Sequence, residues 1–337
     1  MTASKLLAKL KPQWLLVAVF AFAFTSASAD ERPPLRVITF GLPWYAKAEH
    51  GGFFQAKATG IYEKYGLKVN IKEGGPKINN LQLLVAGKHD ITSGYPIQAI
   101  NGVHEGLPVT TVAAWFQKDP QVIITQSEIN SLDELKGGTI LVANYAENTY
   151  WPWLVEQYDF TDSMKRPYTG GIQRFMVGEV DAQQGYVTNE PYTISEKGKD
   201  FNVFLMADLG YPPYTQTFQV KPSLVENDPE LVKDFVQATA EGYESYFENP
   251  EPANELIQKV NPEMDQERID YSIEKMKEYN ILTSGAAGKN GIGWMTDERW
   301  KKTYDFMVRN DLVPADVDYK KAYTLEFLPD DPRVFVD

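Results

Sequence analysis

The sequence predicts an α/β protein of two lobes, joined by two crossover segments and separated by a cleft. Strand-like and helix-like segments alternate over the first two thirds of the chain, as parallel βαβ units require. The pattern G-x-x-D-x-x-x-G-Y occurs at Gly87, Asp90, Gly94 and Tyr95, and again at Gly178, Asp181, Gly185 and Tyr186. The copies lie about one lobe's length apart. The last third reads as mostly helical, with no further sheet of any size.

Each element follows from its local pattern. Residues 35–40 are an apolar run of strand type, 52–59 read as a helix stopped at Gly60, and 67–71 alternate as a strand. Ile78, Leu81, Leu84 and Val85 have helical spacing, with Gly87 as the cap. A strand is expected at 90–93, a helix at 97–103 and a strand at 109–114. Ser131 and Glu134 then have the spacing of a capping box. Residues 139–143 and 201–207 read as strands, and 150–158 and 172–180 as helices. In each copy of the repeat the glycine ends a helix, a short strand follows the aspartate, and Gly-Tyr closes that strand. Asp90 and Asp181 are expected to fix turns at the strand starts.

Pro229 opens a helix at its first turn, with Leu231, Phe235, Thr239, Gly242 and Tyr246 along one face. Ile269, Ile273 and Met276 mark another helix, and Trp300, Tyr304 and Val308 a third. These are expected to pack on the first lobe. The chain should cross between lobes near 117–124 and 215–221, where 121–125 and 217–220 are strand-like. Lobe 1 is therefore 30–117 with 218–337, and lobe 2 is 118–217.

Composition removes several chemistries. The formal net charge of −13 argues against nucleic acid, whose binding is driven mainly by Lys and Arg. The absence of cysteine excludes disulfides, thiolate zinc sites, iron–sulfur clusters and cysteine nucleophiles. With His50, His89 and His104 as its histidines and no close pair among them, a His-rich metal centre is not expected. Residues 1–29 have the form of a cleavable signal peptide: Lys5, Lys9 and Lys11, an uncharged apolar run at 14–24, then Ala27-Ser28-Ala29 before Asp30. The run is shorter than the roughly 20 residues a membrane span needs. Cleavage after Ala29 would leave a soluble exported chain, with no cysteine at its new N-terminus to carry a lipid.

Several segments recur in a known family. They are Trp44 after the first strand, His50-Gly51-Gly52 before the first helix, and Gly60, Tyr62, Gly66, Leu67 and Val69 in the arrangement G-x-[FY]-x-x-x-G-L-x-V. Leu84, Gly87 and Asp90 follow as L-x-x-G-x-x-D, then Gly106-Leu107-Pro108-Val109 and residues 131–137. In these segments the chain resembles type II periplasmic substrate-binding proteins of ABC importers, in the nitrate/sulfonate/thiamine-pyrimidine group. The resemblance implies the type II periplasmic-binding-protein fold. It also implies a monomer that closes on a small molecule and delivers it to a permease and ATPase complex in the inner membrane, with no cofactor and no metal.

Aromatic residues cluster at the expected strand ends: Trp44, Tyr95, Trp115, Tyr145, Tyr150, Tyr186 and the stretch from Tyr211 to Tyr214. Each ring is as apt to pack a core as to line a site, but rings at strand ends suit a flat ligand by stacking. Glu190 beside Asn189 is the main polar candidate, because a carboxylate can accept from an exocyclic amine and a protonated ring nitrogen together. Its alternative role is that of an acid at a helix start. His50 is a second candidate donor. Gln117 and Asp119 at the first crossing either reach the ligand or cap the hinge. The favoured solute is a heteroaromatic such as a thiamine-type aminopyrimidine. The alternatives are a small anion (taurine, an alkanesulfonate or nitrate), held at helix N-termini, and an enzyme built on Glu190 and His50, which no nucleophile or metal motif supports.

Overall fold

The computed structural model describes residues 34–75 and 77–329. The expected signal peptide lies outside the described residues. Ten strands follow in chain order: β1 (Arg36–Gly41), β2 (Leu67–Lys72), β3 (Ile91–Gly94), β4 (Thr110–Phe116), β5 (Gln121–Gln126), β6 (Ile140–Val142), β7 (Lys165–Pro167), β8 (Ala182–Tyr186), β9 (Phe201–Leu205) and β10 (Thr215–Val220). They form two five-stranded sheets, ordered β2-β1-β3-β10-β4 and β7-β6-β8-β5-β9.

The two orders are the same plan used twice. In the first sheet β10 runs antiparallel to both neighbours, and in the second β5 does so. Those two are the strands that follow the crossings, so each sheet is completed by chain returning from the other.

The sequence repeat occupies equivalent places in this plan. Gly87 and Gly178 take left-handed φ of 68° and 70°, the conformation a helix-ending glycine supplies without a Cβ penalty. Asp90 accepts a hydrogen bond from the Thr39 N–H at 2.8 Å, and Asp181 accepts one from the Thr139 N–H at 2.7 Å. Each aspartate thus pins the start of its strand to the neighbouring parallel strand. Tyr95 and Tyr186 then stand at the carboxyl ends of β3 and β8.

An aromatic core covers the first sheet. Phe40 meets Phe53 and Phe218 with ring centroids 4.9 and 5.2 Å apart, and Phe218 meets Phe235 at 4.9 Å. Phe53 lies in the helix Gly51–Ala58 and Phe235 in the helix Pro229–Glu248. These helices approach closely because small residues meet at their crossing. A Cβ on Gly242 would lie 2.4 Å from the Gly52 carbonyl oxygen, and one on Gly52 would lie 2.2 Å from the Tyr243 ring. Helix Glu251–Val260, which the sequence reading did not anticipate, packs on the same helix Gly51–Ala58.

The other C-terminal helices depart from expectation. They do not pack on the first lobe alone. Helix Asp297–Arg309 brings Trp300 and Phe306 into one apolar cluster with Ile97 and Ile100, and with Ile140 and Trp153 from the second-sheet side. Its Arg309 also pairs with Glu156 at 3.0 Å. From helix Gln266–Glu278, Arg268 donates to Asn189 and Thr193 at 3.3 and 3.2 Å. The periodicity was correct; which surface each stripe meets is not written in the stripe. Two local expectations also change. Glu134 accepts from the Asn130 N–H at 2.8 Å while Ser131 makes no side-chain cap, so only half of a box forms, one residue early. The helix expected over 172–180 is the short turn Gln173–Met176, cut off by the left-handed Gly178.

Candidate functional site

The loops that leave the carboxyl ends of the strands converge from both sheets, which in α/β sheets is where ligands bind. From the first sheet come Tyr95 after β3 and Asp119 after β4, while Trp44 follows β1. From the second come Tyr145 after β6, Tyr168 after β7, Tyr186 at the end of β8 and Tyr211 after β9. Tyr95 and Tyr186 lie within each other's electrostatic reach, so the two copies of the repeat approach across the sheets. Asp119 lies within the field of both, and of Tyr145, Tyr150 and Tyr211.

A hydrogen-bond chain sets the second-sheet wall. The Tyr150 hydroxyl donates to Gln184 Oε1 at 2.6 Å, Gln184 Nε2 donates to the Tyr145 oxygen at 3.2 Å, and Tyr145 donates to Gln121 Oε1 at 2.6 Å. Gln121 Nε2 ends the chain on the Gly185 carbonyl at 2.9 Å. Buried networks satisfied in this way rigidify a site. Tyr145 itself is 49% exposed. Its hydroxyl is anchored inside while part of the side chain faces solvent, as a wall of an open hollow does.

The site sets neutral phenols around the Asp119 and Glu190 carboxyls, with the Arg299 charge acting on Asp119. Burial pushes the Tyr95 phenol up to about 12, and raises Tyr145, Tyr150, Tyr186 and Tyr211 well above the ordinary value. All five stay neutral, able to donate or accept. Burial also raises Asp119 to about 6, against the opposing pull of the Gln121 N–H, the Thr215 hydroxyl and the Arg299 charge. Arg299 donates to the Pro212 and Pro213 carbonyls at 2.8 and 3.2 Å, holding the second crossing, and lies 4.3 Å over the Tyr214 ring. Among the described residues no His, Cys, Asp and Glu group has the arrangement of a metal site, and no helix is long and apolar enough to cross a membrane.

A family model described as NMT1/THI5 like matches residues 47–253, more than half of the chain. The chain belongs to that family. Over 331 residues this NMT1/THI5-like chain is 26% identical to the riboflavin-binding protein RibY of Chloroflexus aurantiacus, covering 92% of this chain and 91% of that protein. Over 310 residues it is 24% identical to the formylaminopyrimidine-binding protein of Halalkalibacterium halodurans, covering 87% and 93%. It superposes on the periplasmic aliphatic sulphonate binding protein SsuA of Escherichia coli with a TM-score of 0.66 at 17% identity, over 91% and 95% of the chains. That likeness shows the fold: the two-lobed periplasmic-binding-protein architecture expected from the sequence is the one observed.

The NMT1/THI5-like structure sorts the candidate residues. Tyr95, Asp119, Tyr145 and Tyr186 converge as described, and Trp44 stands 41% exposed on the first-sheet rim. Tyr150 is buried behind Tyr145 as its support. Four other candidates are buried. Trp115 is fully buried in the aromatic core, 4.7 Å from Phe218 and 5.7 Å from Tyr243. His50 is 2% exposed and stacked on Phe53, and burial lowers its pKa to about 3. Gln117 Nε2 donates to the Ala114 and Trp294 carbonyls at 3.1 and 2.8 Å, while its Oε1 is buried without a partner. Tyr214 is buried, and its hydroxyl accepts from the Thr296 N–H at 3.1 Å.

Glu190 already holds three donors from its own neighbourhood: the Tyr186 N–H at 2.7 Å, Asn189 Nδ2 at 2.9 Å and the Tyr168 hydroxyl at 3.2 Å. It opens the helix Glu190–Ser195, with Asn189 as the N-cap residue. Asn189 in turn receives Arg268 from the C-terminal helices. Sequence reasoning missed Gln121, Gln184, Tyr168 and Arg299. The first two carried a signal, since glutamines at strand positions next to apolar residues are buried only when something satisfies them.

Proposed function

We propose that the chain is the periplasmic solute-binding component of an ABC importer, and that its solute is a small, flat heteroaromatic compound with hydrogen-bonding edges. The permease and ATPase of the inner membrane are its partners, and no chemistry is performed on the ligand. The observation that carries this reading is the approach of Tyr95 and Tyr186 across the two sheets, beside Asp119. Tyr95, Tyr145 and Tyr186 supply neutral ring faces and adaptable hydrogen bonds, while the Asp119 carboxyl selects an amine or ring N–H. A sulfonate or nitrate would face that carboxyl with like charge. The relatives named for riboflavin and for a formylaminopyrimidine are both named for ring compounds of this kind. Glu190, bonded as it is, serves to position Tyr186 and Tyr168.

Calorimetric titration of the purified chain with riboflavin, an aminomethylpyrimidine and taurine tests the reading. A ring compound is expected to bind and taurine not to compete. Tyr145→Ala, at a half-exposed position the fold tolerates, is expected to weaken the ring ligand about tenfold by removing stacking and burial. Binding of taurine alone, or a ligand that mass spectrometry finds converted, would refute it.

A further inference from the structure

Helix Gln266–Glu278 is fastened to the first-sheet side and reaches across to the second. Its Lys277 donates to the Phe247 carbonyl of helix Pro229–Glu248 at 3.2 Å, and Asn261, ahead of it, donates to the Ala46 carbonyl at 2.7 Å. Arg268 and Ser272 are four residues apart and so share one face of the helix. Both reach the turn that follows β8. Arg268 Nη1 donates to Asn189 Oδ1 and Thr193 Oγ1, and the guanidinium stands 5.0 Å over the Tyr192 ring. The Ser272 hydroxyl lies 2.9 Å from the Thr188 carbonyl. The Thr188 hydroxyl donates to Glu49 Oε1 at 2.5 Å, and the Glu49 backbone is held by the Tyr243 hydroxyl at 2.8 Å. Thr188, Ser272 and Glu49 are buried.

Thr188 and Asn189 lie two and three residues past Tyr186. A movement that draws Tyr186 away from Tyr95 therefore also draws them away from Arg268, Ser272 and Glu49. Each of these groups can exchange its protein partner for water, so parting them costs no more than the modest net worth of the hydrogen bonds. Surfaces that part and rejoin within a chain are polar in this way. The joint also leads into the site. Asn189 presents its oxygen to Arg268 and its Nδ2 to Glu190 Oε1, and a reversed amide would lose both bonds. Glu190 in turn accepts the Tyr186 N–H. Arg268, Asn189, Glu190 and Tyr186 thus hold one another in series.

We propose that helix Gln266–Glu278 is a clasp that keeps the two sheets together in the closed form, with Arg268 a positioning residue that acts through Asn189 on Glu190 and Tyr186. The clasp sets how long a solute stays, and not which solute is chosen. The inference rests on the function proposed above, which supplies the solute that is retained.

The chain has no cysteine, so nitroxide labels attached at Lys57→Cys and Val177→Cys, both exposed, report the separation of the two sides by electron–electron double resonance. Arg268→Ala is expected to raise the share of longer distances about three- to tenfold. In stopped flow it should release riboflavin (or an aminomethylpyrimidine, if that binds instead) about three- to tenfold faster, with association changed less than about twofold. Arg268→Lys, which keeps the charge without the planar fork, should recover part of both effects. Arg268 is partly exposed, and a variant that merely damaged the fold would bind fewer equivalents and not release them faster. Lys301→Ala, which removes an exposed pair with Asp305 inside one helix, should leave both readings at the parent's values. Distances and release rates in Arg268→Ala that match the parent's, or a loss carried by slower association alone, would overturn the inference. If neither ring compound binds the parent, the proposed function falls, and the distances alone then decide whether the clasp exists.

Discussion

Asp119→Asn is expected to melt at a higher temperature than the parent protein at pH 8, and at nearly the same temperature at pH 4. Burial raises the Asp119 acid from 3.8 to about 6. Between those values the folded chain keeps a proton that the unfolded chain has released. The stabilisation by the neutral acid is therefore complete below about pH 4 and is lost as pH climbs through about 6. At pH 8 the ionised carboxylate costs the fold about 2–3 kcal/mol, which an amide of the same shape does not. The Gln121 N–H, 3.0 Å from Asp119 Oδ1, keeps an acceptor in the variant. The same substitution should weaken the ring ligand by about ten- to a hundredfold, because a charge-assisted hydrogen bond becomes an ordinary one. A melting series from pH 4 to 8 with a titration at pH 7.5 checks both halves. Parallel melting curves for the two proteins would show that Asp119 does not titrate as its burial demands. The expected divergence would make Asp119 a functional group retained against the interest of the fold.

Gly242→Ala should destabilise the protein by about 1–3 kcal/mol or more, against the sign that helix propensity alone gives. Inside a helix, alanine is normally better than glycine by about 0.8–1 kcal/mol. Here the added methyl would sit 2.4 Å from the Gly52 carbonyl oxygen and 2.8 Å from the Ala56 Cβ. The carbonyl belongs to helix backbone and cannot swing aside, so the two helices must separate and the Phe40–Phe53–Phe235 core beneath them loosens. Overpacking of this kind outweighs propensity. Urea unfolding of the variant checks it, and a midpoint above the parent's would show that the crossing has slack. Gly242 read in sequence as one position on an apolar stripe; its partner across the crossing was not visible there.

That difference marks what could be read from the chain alone. The repeat was legible because its residues act locally: a glycine that turns left, an aspartate that caps a strand start, a tyrosine that ends the strand. The convergence of Tyr95, Asp119, Tyr145 and Tyr186 followed because position at a strand end brings side chains together whatever the rest of the fold does. The burial of His50 and Trp115 was not legible, because both sit near strand ends or loops, yet Phe53, Phe218 and Tyr243 from distant segments close over them. Whether a helix stripe meets one sheet or bridges two depends equally on distant partners. The stripe of Trp300 and Phe306 gives no hint that it seats against both.

The place of β10 also bears on how the molecule comes into being. That strand separates β3 from β4, so β4 has no strand beside it until residues 215–220 have been synthesised. A nascent chain stopped before Thr215 should fail to protect the amides of β4 from hydrogen exchange. Pairings this distant in sequence make folding slow. The second sheet draws all its strands from residues 121–205 and can close first, whereas the first must wait for residues 215–220.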